Sequence, residues 1–183
     1  MKKQTYSEAI PVRISTPISL TTMVQAAMIA AIYVVLTFIA NAFGLANYAV
    51  QVRFSEALTI LPYFTPAAIP GLFIGCLLSN VLTGCALPDI IFGSLATLLG
   101  ALGTYALRKW KWCAPVCPIA ANTIIVPLVL IYGYGLMIDG MSVLQCFGYY
   151  CLTVGIGEII SCGILGMILL LSLQKYQGRI FSR

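Results

Sequence analysis

The residue with the most evident capacity for chemistry is Glu158, an acid set in the apolar stretch Thr153-Val-Gly-Ile-Gly-Glu-Ile-Ile-Ser161. Ionisable groups within a membrane-length apolar run are costly and usually face a cavity or a partner. Gly155 and Gly157 leave room for a neighbour to approach, and Tyr150, Val154 and Glu158 share one helix face at four-residue steps. Two readings stay open: contact with a ligand, or a protonated glutamic acid bonded to Asn122 or to another helix.

Arg53 and Glu56 form a second constellation, in Gln51-Val-Arg-Phe-Ser-Glu-Ala57. As structure, the two would make an interfacial ion pair capping a helix, worth about 1 kcal/mol or less. As a site, Glu56 would accept hydrogen bonds from a ligand while Arg53 holds the carboxylate or a second ligand group, with Phe54 between them. Asn80 and Asp89 belong to the same layer. Asp89 also suits a helix N-terminus, where the dipole favours an acid. Asn122, in Ala120-Ala-Asn-Thr-Ile, can bond between helices or touch a ligand.

The elements that hold these groups must cross a membrane. Of the 183 residues, 61% are hydrophobic and only 8% are charged, against roughly a quarter charged in a soluble domain. Spans of about 20 apolar residues are expected at Ile18 to Phe43, Pro88 to Leu107, Ala114 to Tyr132 and Val143 to Leu173. Ser19, Thr21 or Thr22 is expected to cap the first. Between Ser55 and Leu87, Pro62, Pro66 and Pro70 predict a short descending helix to Phe64, a turn at Thr65-Pro66 and a return helix from Ala67. The fold class expected is all-α, a six-helix transmembrane bundle over 18–174, with a cytoplasmic segment 1–17 and a basic tail 175–183. Met1 to Pro17 is polar and the first apolar run can span and stay, so no cleavable leader is expected.

Six spans place Lys2, Lys3, Arg13, Arg108, Lys109, Lys111, Lys175, Arg179 and Arg183 on one face, which the positive-inside rule makes cytoplasmic, with both termini inside. Arg53 is left on the external side, where Glu56, Asp89 and Asp139 also map. Trp110 and Trp112 sit among the inner basic residues, as interfacial anchors do. On the cytoplasmic half of the first helix, Gln25-Ala-Ala-Met-Ile-Ala-Ala31 sets Ala26 above Ala30 and Ala27 above Ala31. Such a surface permits close helix packing, either within the chain or against a separate membrane subunit.

Several chemistries are excluded. No G-x-x-x-x-G-K-S/T phosphate loop occurs, so the chain does not hydrolyse ATP by that route. Histidine is absent, and Cys113 and Cys117 lack a second pair nearby, so neither a zinc site nor a cofactor is expected. No hydrolase or redox motif appears, and the chain is not read as an enzyme. It is also short for a carrier built of two inverted repeats. A channel would show polar periodicity along a whole helix. An accessory subunit would have no use for Arg53, Glu56 and Glu158 together.

From Thr22 to Leu173 the chain resembles the substrate-binding S components of energy-coupling-factor transporters, and among them the QueT family. The segment QVRFSEALTILPYFTPAAIPGLFIGCLLSNVLTG, Gln51 to Gly84, carries most of the likeness. Asp89 to Leu99 and Ala121 to Leu130 support it, and the alanines of the first helix resemble the A-x-x-x-A element by which S components dock. The resemblance implies a cavity open to the outside, capped by the loop after the first helix. It also implies a T subunit and two cytosolic ATPases as partners, and a 7-deazaguanine such as queuine or its aminomethyl precursor as ligand. One carboxylate would accept the adjacent N–H donors of the guanine edge, a second would suit the amine, and Phe54, Tyr150 and Tyr48 would stack on the ring. Another vitamin-sized ligand, or a small carrier or channel working alone, would satisfy the same groups.

Overall fold

The computed structural model describes residues 19–45 and 52–177, all in helices and the turns that join them, with no strand among the described residues. The expectations for Tyr48, Gln51, Lys2, Lys3, Arg13, Arg179 and Arg183 lie outside the described residues.

Helix α1, Leu20–Ala42, is apolar all round, as expected of a helix with lipid on one side and protein on the other. Ser19 occupies its N-cap position, but no side chain caps the helix. Its buried face carries Ile29, Tyr33, Thr37 and Ala40. Met28, Ile32, Val35 and Phe38 are exposed.

The next element departs from the expected short α-helix. Phe54–Tyr63 is a 3₁₀ helix of ten residues, with Pro62 near its end. At about 2.0 Å of rise per residue it spans about 20 Å, short of a hydrocarbon core of about 30 Å. Ser55 through Pro62 are all buried. The segment packs against α1, the third helix and the last helix rather than against lipid. Irregular backbone at membrane depth is tolerated under just that condition. The chain turns through Thr65 and Pro66 into α2, Ala68–Leu82, which is 15 residues long.

Helix α3, Leu87–Ala106, opens with Pro88 in its first turn and Asp89 beside it. A single 3₁₀ turn, Lys111–Cys113, leads into α4, Val116–Leu128, which continues as a π-helical turn through Val129–Gly133. Trp110 and Trp112 at that junction are exposed. Helix α5, Val143–Glu158, begins with a capping box between Ser142 and Gln145. It runs through a π-helical stretch, Ile159–Leu165, into α6, Gly166–Gln174, so that Val143–Gln174 is one rod of 32 residues.

Four helices, Leu20–Ala42, Leu87–Ala106, Lys111–Gly133 and Val143–Gln174, are long and apolar enough to cross a membrane. They agree with the first, fourth, fifth and sixth expected spans to within a few residues. The 3₁₀ segment and α2 are both shorter.

Small residues set the distance between α1 and α2. A methyl group added at Gly71 would fall 2.6 Å from the Ala26 carbonyl oxygen, and one at Gly75 would fall 2.8 Å from Tyr33 Cβ and 3.0 Å from Ala30 Cα. Ala26 and Ala30 therefore pack inside the bundle, whereas Ala27 and Ala31 are exposed. The alanine stripe divides into an internal seam and an outward face, so packing within the chain accounts for Ala26 and Ala30. Ala30→Leu and Gly75→Leu should each cost about 1–3 kcal/mol by overpacking this seam, while Ala27→Leu should not. Thermal unfolding of the purified chain in detergent checks it; equal melting temperatures for Ala30→Leu and Ala27→Leu would refute the division.

Candidate functional site

The 3₁₀ segment carries Glu56 in its first turn and buries it to 2% exposure. A buried carboxylate needs donors, and it receives them from two different helices. Tyr33 of α1 donates its hydroxyl to Oε1, and Asn122 of α4 donates Nδ2 to Oε2 at 3.4 Å. Asn122 thus makes an interhelical bond, but to Glu56 rather than to a neighbour in the apolar bilayer.

The flanking residues of the segment are held in the same way. Thr37 donates to Ser55 Oγ at 2.9 Å, and the Arg53 backbone N–H donates to Ser161 Oγ at 3.2 Å. Glu158 stands where α5 gives way to the π-helical stretch. Its Oε2 accepts the Cys162 thiol at 3.1 Å, and the same thiol lies 3.4 Å from the Glu56 carbonyl oxygen. Glu56, Glu158 and Cys162 each bring one atom within 4.8 Å of the others. The thiol donates to Glu158 and both Glu56 oxygens are engaged, so the three groups form a hydrogen-bonded network across three elements.

Nearer the start of α3 a second layer forms. Asp89 receives Arg53 Nη2 at 3.9 Å and the Tyr134 hydroxyl at 3.3 Å, both on Oδ2. Asn80 donates to the Asp89 carbonyl at 3.3 Å. Tyr134 also accepts the Ala86 N–H at 3.0 Å, which ties the loop after α4 to the start of α3. Burial first, with the charge of Asp89 adding to it, raises the Tyr134 phenol above its ordinary range, so it remains a donor at neutral pH. Of the two readings open for Arg53 and Glu56, the structural one takes another form: Arg53 pairs with Asp89, and Glu56 turns inward to Tyr33 and Asn122.

Two cavities adjoin at this layer. The outer one, of about 480 Å³, is lined by Thr37, Asn41, Arg53, Asn80, Asp89 and Tyr134, with Thr83, Cys85 and apolar side chains completing it. The inner one, of about 10 Å³, is lined by Arg53, Glu56, Thr97, Asn122 and Glu158 with Gly93, Val126 and Val154. Arg53 and Val126 line both. The outer cavity falls in the range of small-molecule sites, about 300–1,000 Å³; the inner one holds about one water.

Six of the eight candidate residues, Arg53, Glu56, Asn80, Asp89, Asn122 and Glu158, therefore line these two adjoining cavities. Phe54 and Tyr150 line neither cavity; the Tyr150 ring instead meets Tyr149 edge-on, with centroids 5.6 Å apart. Tyr33, Asn41, Thr97, Tyr134 and Cys162 were not singled out from the sequence. The signal for Cys162 was its place one helical turn after Glu158, and for Tyr33 and Thr37 their four-residue spacing in an otherwise apolar helix.

The QueT transporter family matches residues 23–175. The chain belongs to that family. It is a transporter family rather than one of enzymes, and with four apolar helices of spanning length the protein is a multi-pass membrane protein. The queuosine precursor transporter QueT of Lactococcus lactis subsp. cremoris (strain MG1363) is 35% identical over 90 residues, 49% of this chain. That match spans about half of the relative, 53% of its length. No solved structure matches.

The network makes a prediction independent of ligand. Tyr33→Phe removes a buried donor from Glu56 with little change of shape, and should destabilise the bundle by about 1–3 kcal/mol. Thr83→Val, at a partly buried hydroxyl bonded within its own helix, is the comparison and should cost less. Melting temperatures of the two variants decide it.

Proposed function

We propose that this protein is the substrate-binding S component of an energy-coupling-factor transporter for a queuosine precursor, a 7-deazaguanine such as queuine or its aminomethyl form. The observation that carries the proposal is the outer cavity with Asn80 and Asp89 on its wall, continued inward by Glu56, Asn122 and Glu158. Family membership and the name of the Lactococcus relative support the ligand class. A purine-like base presents paired N–H donors, which a carboxylate accepts in parallel. Asp89 is the first such acceptor reached from the outer cavity, and the two glutamates lie beyond it. An amine on the side chain would find the remaining acid.

In this reading the 3₁₀ segment and α2 together make one pass in and out, giving six crossings. The basic residues of both termini and of Arg108–Lys111 then lie in the cytoplasm, and the cavity opens outward through the cytoplasmic membrane. The chain has no phosphate loop, so energy reaches it through contact with a T subunit and two cytosolic ATPases. The outward alanine face, Ala27 and Ala31, is the part of the stripe left for that contact; Ala26 and Ala30 belong to the seam with α2.

The purified chain should bind 7-aminomethyl-7-deazaguanine in calorimetry, and proteoliposomes holding only this chain should accumulate none, with or without ATP. Accumulation by the lone chain would instead establish a self-sufficient carrier. Glu56→Gln and Glu158→Gln should each weaken binding about ten- to a hundredfold, the worth of a charge-assisted hydrogen bond. Unchanged affinity in both would make the carboxylates structural. Ala27→Leu should abolish uptake by the assembled complex and leave binding by the isolated chain intact. Loss of binding in that variant, with copurification of the T subunit retained, would remove the docking role.

A further inference from the structure

Arg53 is the one cation among the described residues lining the two cavities, and it lines both. Its guanidinium reaches Asp89 at 3.9 Å on the outer side. On the inner side its neighbours are Glu56 and Glu158, whose described bonds go to Tyr33, Asn122 and Cys162. The backbone of Arg53 is fixed by the bond to Ser161. The side chain is 22% exposed, and its ion pair to Asp89 is long. Beyond it the inner pocket has room for about one water, whereas the outer cavity is of small-ligand size.

We infer that Arg53 is a displaceable plug: its side chain, resting on Asp89, separates the outer cavity from the inner pocket until a ligand takes its place. The inference rests on the proposed ligand class and deepens it. A guanidinium offers paired, coplanar N–H donors to a carboxylate, and the amidine edge of a 7-deazaguanine offers the same pattern. Ligand and Arg53 therefore compete for Asp89. When the ligand wins, the arginine side chain swings out of the partition about its fixed backbone, and the two cavities merge. Glu56, Asn122 and Glu158 then become reachable from outside. Ligands lacking paired N–H donors fill the outer cavity without opening the inner one, so the plug acts as a selectivity element rather than as a handle on the ligand.

The test uses the full chain and its own cysteines. Cys85 lines the outer cavity and Cys162 is bonded to Glu158 at the inner pocket. A small cationic methanethiosulfonate, read by peptide mass, should modify Cys85 in wild type and leave Cys162 intact. In Arg53→Gln, Cys162 should become modified several-fold faster. Calorimetry with 7-aminomethyl-7-deazaguanine should show Arg53→Gln binding at least as tightly as wild type. A direct ligand contact would instead lose about ten- to a hundredfold. Asp89→Asn releases the same plug from the other side, and should expose Cys162 while weakening binding; it carries the labelling test if Arg53→Gln does not fold. Protection of Cys162 unchanged in a folded variant, or loss of affinity in folded Arg53→Gln, overturns the plug. Absence of binding by wild type would refute the ligand class alone, since the labelling result stands without it.

Discussion

Everything in this bundle is arranged around ten residues that do not form an α-helix. The 3₁₀ segment Phe54–Tyr63 is too short to cross a bilayer, and its backbone is poorly suited to lipid, so it must be enclosed by protein. Enclosure brings its side chains against three walls. Ser55 meets Thr37 on α1, Glu56 meets Tyr33 on α1 and Asn122 on α4, and Thr59 meets Cys162 on the last helix. Each of those bonds joins elements far apart in sequence. A single buried acid thereby fixes where α1, α4 and the last helix stand relative to one another. Replacing such a network by apolar residues would preserve volume but not register, the role for which buried polar groups are best attested.

The second organising feature is how closely the backbones approach. Gly71 and Gly75 leave no space for a Cβ against Ala26, Ala30 and Tyr33, and this closeness is what lets the Tyr33 ring reach inward to Glu56. Packing between small residues is a major source of helix association where no hydrophobic effect operates between helices. The same seam gives α1 two characters. One face is committed to α2; the other keeps exposed alanines and long apolar side chains.

The long helices were legible because a run of apolar residues bounded by Pro, Gly and basic clusters has few alternatives in a chain with 8% charge. Residues 55–87 were legible only in outline. Three prolines announced the breaks, but the distinction between a short α-helix and a 3₁₀ helix depends on what encloses the segment, which no local pattern encodes. Glu56, Asn122 and Glu158 stood out because polar groups are rare at such depth. Their pairing did not follow from spacing. Arg53 sits three residues from Glu56, yet its charge goes to Asp89, since the first turn of the segment points the acid at Tyr33 and the guanidinium the other way. Phe54 stands beside Arg53 and Tyr150 two turns before Glu158, yet neither lines a cavity, and aromatic residues abound in a membrane protein for reasons unrelated to a ligand.

Charge balance ties the two layers together. Three carboxyl groups, Glu56, Asp89 and Glu158, line the two adjoining cavities with one guanidinium among the described residues. Two like charges a few ångströms apart cost several kcal/mol even at an effective dielectric of about 20, and more in a drier site. The hydrogen bonds from Tyr33, Asn122 and Cys162 offset part of that cost for the inner pair, and Arg53 and Tyr134 offset part of it for Asp89. Carboxyl groups outnumber the guanidinium along these walls, so in the proposed reading the site favours a ligand that brings N–H donors. A neutral donor-rich base relieves this excess through hydrogen bonds, and an attached amine relieves it further. In the proposed reading the polarity of these walls selects the chemical class of the ligand before shape selects among its members, and it does so with side chains that also hold the irregular segment in place.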